Sequence, residues 1–300
     1  MFSPLLYLLS YGTNSDSYRK RRQKYTNFQF FKKNHKKLHL CYYIVLFLFF
    51  FKLFYLKLVI DIGNSFAKLS VFDGDEMVDF KQLEDVTSDI LKSTFRNYPK
   101  IVASILSSVA KHDSSLNEFL MQKGFFIELD HRTPVPFINS YATPDTLGKD
   151  RIAIASAATQ KYPNENVLII DTGTSITYDL VLSNREYIGG AISPGLNMRF
   201  NALHNFTHRL PLIKLPDSNT EINLVGDSTE SSILTGVING LIAEVENIIV
   251  QYNTKFSPLK VVISGGDYKY FERLVKSNIF AAPNIVVFGL KCILDFNEKD

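Results

Sequence analysis

LVIDIGNS, at residues 58–65, is followed later in the chain by a near-copy, LIIDTGTS at residues 168–175. Each stretch is an apolar run rich in Val, Ile and Leu, which is typical of a strand buried on both faces. The Asp, the Gly and the small polar residues that follow predict a tight turn able to present N–H groups to an anion. One copy alone would be ordinary. Two copies indicate a duplicated architecture with two turns that grip phosphate and metal.

The length, charge and cysteine content limit the classes of protein to which this chain can belong. Three hundred residues with a formal net charge of +3 allow one large or two medium domains. Residues 1–56 contain ten Lys or Arg and a single acid, Asp16, so residues 57–300 are net acidic. The net acidic charge of residues 57–300 argues against a nucleic-acid partner. The only cysteines, Cys41 and Cys292, exclude a disulfide framework or a cysteine-rich zinc site and fit a reducing compartment.

The N-terminal segment, residues 1–56, differs from the rest of the chain. Its basic residues precede an apolar run at 41–51, a pattern typical of a membrane anchor. Lys52 interrupts that run short of the ~20 residues that a spanning helix needs, and a strand at 57–61 follows without a linker. No small-residue cleavage site of a signal peptide follows. We therefore expect residues 1–56 to be an extension translated from a misassigned start, with a membrane-tethered protein as the alternative.

Hydrophobic periodicity predicts an α/β order of elements after the extension. Strands are predicted at 57–61, 67–72, 77–83, 100–106, 125–129, 166–171, 176–182, 185–190, 259–263 and 285–288. Helices are predicted at 85–97, 113–122, 149–161, 196–206 and 228–252, with two shorter helices near the end of the chain. Because each copy of the repeated stretch opens a series of strands, we expect two halves, 57–163 and 164–300.

Two carboxylates, Asp61 and Asp171, would stand at the tips of the two hairpins. Phosphoryl transfer needs positioning and neutralised charge, and such a pair would hold Mg²⁺ directly or through its waters. SGG at 264–266 follows a buried strand and would leave room for adenine or ribose against bare backbone. Neither G-x-x-x-x-G-K-[ST] nor G-x-G-x-x-G occurs in the sequence, which argues against P-loop and Rossmann sites.

Asp150 is the candidate general base because it lies in the first turn of the helix predicted at 149–161. A helix N-terminus favours the ionised carboxylate, which is then ready to accept a proton. Arg151 would hold a carboxylate or phosphate oxygen as a bidentate fork. By themselves, these two residues are more typical of a surface pair at a helix start. The six histidines are scattered and form no H-E-x-x-H pair, so a histidine metal site is not expected.

The long helix predicted at 228–252 carries a wide apolar stripe. Its members are Ile233, Leu234, Val237, Ile238, Leu241, Ile242, Val245, Ile248 and Ile249. Such a stripe predicts a core contact, with or without an additional contact to a second copy of the chain.

In their order and spacing, the motifs of residues 57–294 resemble those of the type III pantothenate kinases, within the actin, sugar-kinase and heat-shock ATPase superfamily. The matching stretches are DIGNS at 61–65, GKDR at 148–151 with a preceding Tyr141, DTGTSIT at 171–177, and GGAISPG at 189–195 continued by Ala202-Leu203, Thr207 and Leu210-Pro211. The resemblance implies an α/β fold of duplicated ribonuclease-H-like (actin-like ATPase) domains with a nucleotide cleft between them. It also implies ATP-dependent phosphorylation of pantothenate to 4'-phosphopantothenate, the first step of coenzyme A biosynthesis.

The resemblance assigns roles to individual residues. It implies that Asp150 is the proton acceptor and that Asp171 binds a monovalent cation, K⁺ or NH₄⁺, used beside Mg²⁺. The implied ATP contacts are Asp61, Ile62, Gly63, Asn64, Ser65, Phe66, Ala67, Lys68 and Thr174. The implied pantothenate contacts are Tyr141, Gly148, Lys149, Asp150, Arg151 and Thr229. It further implies a homodimer that uses the 228–252 helix, with pantothenate and ATP as its ligands. The cysteine content predicts a cytoplasmic protein, and the acidic charge of residues 57–300 and the interrupted apolar run predict neither nucleic acid nor membrane as a partner.

Two departures from the family pattern accompany the match. Residues 66–67 replace a polar pair often found after the first motif, and Ser175 stands where Ala is common, so some phosphate contacts at the first turn should differ. The alternatives are another kinase of the superfamily, acting on a different small hydroxylated acid, and a non-catalytic transcription accessory factor of the same fold. The intact set of three acids favours catalysis.

Overall fold

The computed structural model describes residues 55–64, 66–109 and 112–298. The expectations for an extension or anchor at the N-terminus fall on residues 1–54, and they lie outside the described residues together with the predicted ATP contact of Ser65. The range Leu56–Asp300 forms one compact unit. The boundary expected between residues 163 and 164 therefore stays a prediction.

Five strands form the first sheet, in the order β3-β2-β1-β4-β5. Their bounds are β1 Leu56–Ile62, β2 Ala67–Asp73, β3 Glu76–Leu83, β4 Ile101–Ser108 and β5 Phe125–Glu128. The first three strands pair antiparallel, and β4 and β5 continue the sheet in parallel with β1. Helices α1 (Ser88–Asn97) and α2 (Ser114–Lys123) pack on its outer face through buried leucines such as Leu91 and Leu120.

The second sheet repeats this plan. Its strands are β6 Ile138–Asn139, β7 Asn166–Thr172, β8 Ser175–Val181, β9 Glu186–Pro194, β10 Leu259–Ser264 and β11 Phe280–Ala281. The order is β9-β8-β7-β10-β11, with the same succession of antiparallel and parallel pairs, and β6 joins the free edge of β9 in parallel. Because β7 takes the place that β1 has in the first sheet, the duplication predicted from the repeated stretch is confirmed.

The remaining helices are α3 Lys149–Lys161, α4 Leu196–Asn205, α5 Thr229–Phe256, α6 Tyr268–Leu274 and α7 Ile285–Asn297. Helices α4, α5 and α6 pack on the outer face of the second sheet, where Ile238, Leu241 and Val245 of α5 are buried. The predicted core contact of the long helix is therefore confirmed. Its contact with a second copy of the chain stays a prediction.

Helices α3 and α7 lie at the centre of the part of the chain that the structure describes. Helix α3 contacts β7 and β8, helix α7 contacts β1 and β4, and the two helices pack against each other. Their buried residues share one apolar cluster with strands of both sheets, including Val59 and Ile169. At Gly289 a Cβ would lie 1.8 Å from the carbonyl oxygen of Ala153, so the helices touch backbone to backbone. This close packing holds the start of α3 in a fixed place.

The predicted strand at 285–288 is wrong, because these residues form the first turn of α7. The run Ile-Val-Val-Phe has strand propensity, but it continues into a helix that is apolar on nearly every side. A helix of this composition is expected where both faces are covered. Packing against α3 and the first sheet therefore overrides the local preference. The strand at the edge of the second sheet is instead the short β11.

Within the part of the chain that the structure describes, α5 is long and apolar enough to cross a membrane by length and composition. The core helix of a folded domain passes the same test, and α5 packs through its apolar stripe on the second sheet. The apolar run at 41–51 lies among the residues that are not described.

Candidate active site

The carboxyl-terminal ends of β1 and β7 open onto a single cleft of about 620 Å³. The predicted acids Asp61, Asp150 and Asp171 all line this cleft. Other lining residues come from both sheets and from α4, and include Lys68, Gln82, Val109, Gly173, Thr174, Thr177, Asn197, Met198, Asn201, Gly266 and Asp267. The fold thus brings the three acids together from β1, β7 and the start of α3.

Asp61 is the penultimate residue of β1 and lies beside Lys68 of β2 and Ser107 of β4. Burial raises the pKa of Asp61, with Lys68 opposing the shift and Asp150 adding to it. Removing a carboxylate from water disfavours its charge unless a cation is near. The first sheet therefore presents a carboxylate that a second positive charge would stabilise.

The turn after β1 is closed by a hydrogen bond in which Gly63 N–H donates to the Phe66 carbonyl at 3.1 Å. The residues of this hairpin that line the cleft are Asp61, Gly63, Asn64, Phe66 and Lys68. The side chains of Ile62 and Ala67 are instead buried in the outer core of the first sheet. Any nucleotide contact at these two positions would therefore involve the backbone.

The turn after β7 is also closed by a backbone hydrogen bond from its glycine, although this turn is shorter than the first. Gly173 N–H donates to the Ser175 carbonyl at 3.1 Å, and residues 173–175 line the cleft. Burial raises the pKa of Asp171 to about 7, with Lys68 opposing the shift and Asp150 adding to it. Thr174 is one of these lining residues, and its contact with ATP stays a prediction.

Asp150 lies in the first turn of α3, after the N-cap residue Gly148. Its Oδ1 accepts the backbone N–H of Arg151 at 2.8 Å. The N-terminal end of a helix favours the ionised form of a carboxylate. Asp150 therefore has the position and the electrostatic setting of a group that accepts a proton in the cleft. Lys149, the first residue of α3, is half-buried and does not line the cleft.

Arg151 is buried and does not form a surface pair with Asp150. Its Nε donates to Oδ1 of Asp179 at 2.8 Å, and the Tyr141 ring centroid lies 5.4 Å from the guanidinium carbon. The Nε edge is therefore occupied, so a fork through Nε is not available to a substrate. Asp179 was not predicted as part of the site. An acid inside the apolar run at 175–181 was the available signal, because a buried acid needs a partner.

Thr229 does not lie in the cleft. It is the first residue of α5, after the capping residue Ser228, and it lines a separate groove of about 1120 Å³ between α4 and α5. A single chain therefore does not bring Thr229 to Asp150. Its role as a substrate contact stays a prediction.

Comparison with known proteins decides the family. Residues 57–251 match the sequence profile of type III pantothenate kinase. A type III pantothenate kinase from Christiangramia forsetii is 46% identical over 245 residues, which cover 81% of this chain and 99% of that protein. One from Phocaeicola vulgatus is 40% identical over 245 residues, covering 81% of this chain and 100% of that protein. The chain belongs to the type III pantothenate kinase family. The resemblance inferred from the motifs is confirmed.

A solved structure from Campylobacter jejuni, assigned as a conserved Baf family transcriptional activator, has a related fold. The TM-score is 0.51 and the identity 22%, over 81% of this chain and 100% of that one. At this identity the likeness concerns the fold alone. Together with the repeated strand order it confirms the predicted class, two duplicated ribonuclease-H-like domains, for this member of the pantothenate kinase family.

Several lining residues of this kinase-family cleft were not predicted. Asn197 and Asn201 project from α4, the helix that follows the GGAISPG stretch, so their position in the sequence was the available signal. Asp267 follows the SGG stretch after β10, and burial raises the pKa of its carboxyl. The space expected beside this stretch is present, because Gly266 and Asp267 line the cleft.

The carboxylates fit a cation that is held partly by other ligands. Among the residues described, no three His, Cys, Asp or Glu side chains lie close enough to bind a metal by themselves. Burial nevertheless raises the pKa values of Asp61 and Asp171, and the charge of Asp150 across the cleft adds to both shifts. Magnesium keeps several waters and binds through one or two carboxylates plus substrate phosphates. The donor set is therefore suited to a cation that arrives with a phosphorylated ligand.

Proposed function

We propose that this chain catalyses the ATP-dependent phosphorylation of pantothenate on its primary hydroxyl to give 4'-phosphopantothenate, the first step of coenzyme A biosynthesis. Membership of the type III pantothenate kinase family supports the substrate. The main support for phosphoryl transfer is that Asp61, Asp150 and Asp171 line one cleft, two of them from equivalent strands of the two sheets.

In this proposal the two hairpin turns hold the ATP phosphates from opposite sides. Lys68 offsets phosphate charge, and the backbone N–H groups of Asn64 and Thr174, which follow the two glycines, supply further donors. Asp150 accepts the proton of the substrate hydroxyl as its oxygen approaches the γ-phosphate. The helix start and the hydrogen bond from Arg151 N–H hold Asp150 in one orientation, so this orientation is present before the substrate binds.

The cofactors would be ATP, Mg²⁺ and a monovalent cation, K⁺ or NH₄⁺. Asp61 would hold Mg²⁺ through its waters and Asp171 would hold the monovalent ion. When bound, these ions supply positive charge that stabilises the negative charge of the transferring phosphoryl group. Both carboxyls have raised pKa values, so a cation would also relieve the cost of ionising them in the cleft.

We further propose that the protein is a cytoplasmic homodimer without a nucleic-acid or membrane partner. The long helix α5 offers exposed surface along the groove that contains Thr229. In a dimer, Thr229 of one subunit would serve the substrate site at the subunit boundary. Sedimentation equilibrium of the purified chain tests the dimer, and cell fractionation tests the location.

The deciding experiment measures ADP release directly by chromatography, with pantothenate as acceptor, in the presence and absence of K⁺. We expect pantothenate-dependent release that K⁺ increases. A panel of other small hydroxylated acids separates this reaction from that of another kinase of the superfamily. Absence of acceptor-dependent release with every acid would instead favour a non-catalytic factor.

A further inference from the structure

Asp179 is a carboxylate placed in the middle of β8 and shielded completely from solvent. Burial raises the pKa of Asp179, and Arg151 opposes that shift. Both oxygens are satisfied. Oδ1 accepts Arg151 Nε at 2.8 Å and Tyr187 Oη at 2.8 Å, and Oδ2 accepts Thr177 Oγ1 at 2.7 Å. A buried carboxylate with three donors is held in one orientation, so it can hold its partner equally firmly.

Arg151, in contrast, is only partly satisfied. Its Nη2 is buried and has no hydrogen-bond partner in the described part of the chain. The rings of Tyr141 and Tyr187 lie against the guanidinium, with centroids 5.4 Å and 6.0 Å from its central carbon. Leaving a buried charged donor unpaired is costly. The guanidinium is thus fixed on its Nε side by Asp179 and lacks a ligand on its Nη2 side.

The network adjoins the reacting centre. Thr177, which holds the second oxygen of Asp179, lines the cleft. Arg151 does not line it, but follows the lining residue Asp150 directly in α3. Pantothenate carries its primary hydroxyl and its carboxylate at opposite ends. A molecule with its hydroxyl at Asp150 therefore needs an anion acceptor at the far end of its site, and Arg is the side chain best suited to a carboxylate.

We propose that Asp179 is a positioning residue that fixes Arg151 so that its Nη2 receives the carboxylate of the acceptor substrate. The inference rests on the proposed function, because it concerns how the same site recognises pantothenate. Asp179 does not touch the substrate, since it is enclosed by β8, β9 and α3. Its removal should therefore affect the binding of the acid and leave the phosphoryl-transfer step nearly intact.

The test compares Asp179→Asn, Arg151→Gln and the double variant in steady-state assays with pantothenate. We expect Asp179→Asn to raise the KM for pantothenate about tenfold to a hundredfold, with kcat within about threefold of the parent. Because Asp179 acts through Arg151, the double variant should show no further rise in KM beyond Arg151→Gln. Additive effects, or a fall confined to kcat, would overturn the proposal.

Two further variants separate positioning from general stability. Tyr187→Phe removes one donor from Asp179 while keeping the ring, and it should raise the KM for pantothenate several-fold even if Asp179→Asn fails to fold. Asp295→Asn removes a partner of the buried Lys291, far from the cleft, and should leave that KM unchanged at a similar loss of melting temperature. An unchanged KM in folded Tyr187→Phe, or an equal rise in Asp295→Asn, would refute the positioning role.

The same assays distinguish failure of the proposed function from failure of the positioning role of Asp179. If the parent protein releases no ADP with pantothenate, the proposed function fails whatever Asp179 does. If the parent is active and the KM of Asp179→Asn is that of the parent, the function stands and the positioning role fails.

Discussion

Asp61 and Asp171 occupy equivalent positions in the two sheets, because each is the penultimate residue of its strand and these strands, β1 and β7, take the same place in the sheet order. The neighbour of Asp61 on the adjacent antiparallel strand is Lys68, whereas the neighbour of Asp171 is Thr177. The duplicated site therefore has a lysine on one side only. Asp171, which lacks a cationic strand neighbour, is the carboxyl whose pKa rises to about 7. The two halves share a geometry but differ in charge, which suits them to different ligands.

Replacing Asp150 by Asn tests its role as the proton acceptor. The variant keeps the size of the side chain and its place at the start of α3, so the fold should be unchanged. Without a base, kcat should fall by about two or more orders of magnitude, while the KM for ATP changes little. Steady-state kinetics and circular dichroism provide the measurement.

Asp145→Asn is the matched control, because Asp145 is an exposed acid that precedes α3. We expect its kcat to match that of the parent. Parent-like turnover in Asp150→Asn would remove Asp150 from the mechanism.

Replacing Lys68 by Met tests the charge that faces both carboxylates. Met retains most of the length and removes the positive charge, so kcat/KM for ATP should fall by about tenfold to a hundredfold. The pKa of Asp171 should rise further, because Lys68 opposes its upward shift. Lys81→Met provides the control, since Lys81 lies on β3, does not line the cleft and forms a partly exposed ion pair with Asp79. A change of less than twofold in Lys68→Met would show that this lysine does not act on the nucleotide.

Replacing Gly195 by Ala tests the packing that holds the second phosphate turn. A Cβ at Gly195 would lie 2.2 Å from the carbonyl oxygen of Gly173 and 2.6 Å from that of Thr174. Such overpacking should lower the free energy of unfolding by about 1–3 kcal/mol. Urea unfolding checks this value. Gly173→Ala is the comparison from the same turn, because its Cβ would meet its nearest atom at 3.8 Å and should cost less than about 1 kcal/mol. Equal costs would contradict the packing argument.

The contact that Glu244 of α5 makes with α4 should stabilise the fold to an extent that depends on pH. Arg199 Nη2 donates to Glu244 Oε2 at 2.6 Å, and Tyr178 Oη donates to Oε1 at 3.2 Å. Burial by itself would raise the pKa of Glu244, but hydrogen bonds from Ser193 and Arg199 hold this pKa below its ordinary value of 4.5. A depressed folded-state pKa stabilises the fold above the unfolded value and loses that stability as pH falls through the folded one.

Glu244→Gln should therefore cost about 1–2 kcal/mol at pH 7. The difference from the parent should shrink as the pH falls below about 4.5. Urea unfolding of both proteins from pH 7 to pH 3.5 measures it. A difference that stays constant across this range would show that the ionised form of Glu244 is not what stabilises the contact.

Much of the site could be predicted because short-range patterns determine it. An apolar strand followed by Asp-x-Gly places a carboxylate at a strand end, and repetition of that pattern predicts two such ends in one fold. The position of Asp150 likewise follows from the start of a helix. These features depend on residues close together in the chain, so the order of residue types is enough to find them.

Other features depend on which elements pack together. Residues 285–288 have the composition of a strand, yet they are helical because α7 is enclosed by α3 and the first sheet. Arg151 has the sequence context of a surface residue, yet it is buried because β8 brings Asp179 to its Nε. Neither neighbour is adjacent in sequence.

The sequence by itself determined the duplicated plan, the three acids and the family. Only the tertiary structure decided that Arg151 is held by Asp179, that Thr229 lies in a separate groove, and that α7 is a helix. The physical reason is the separation in sequence of the residues that determine each feature. Strand ends, turns and helix starts are determined by residues within a few positions of one another. Burial and the pairing of buried charges are governed by contacts between segments far apart in the chain, such as residues 151 and 179 on α3 and β8.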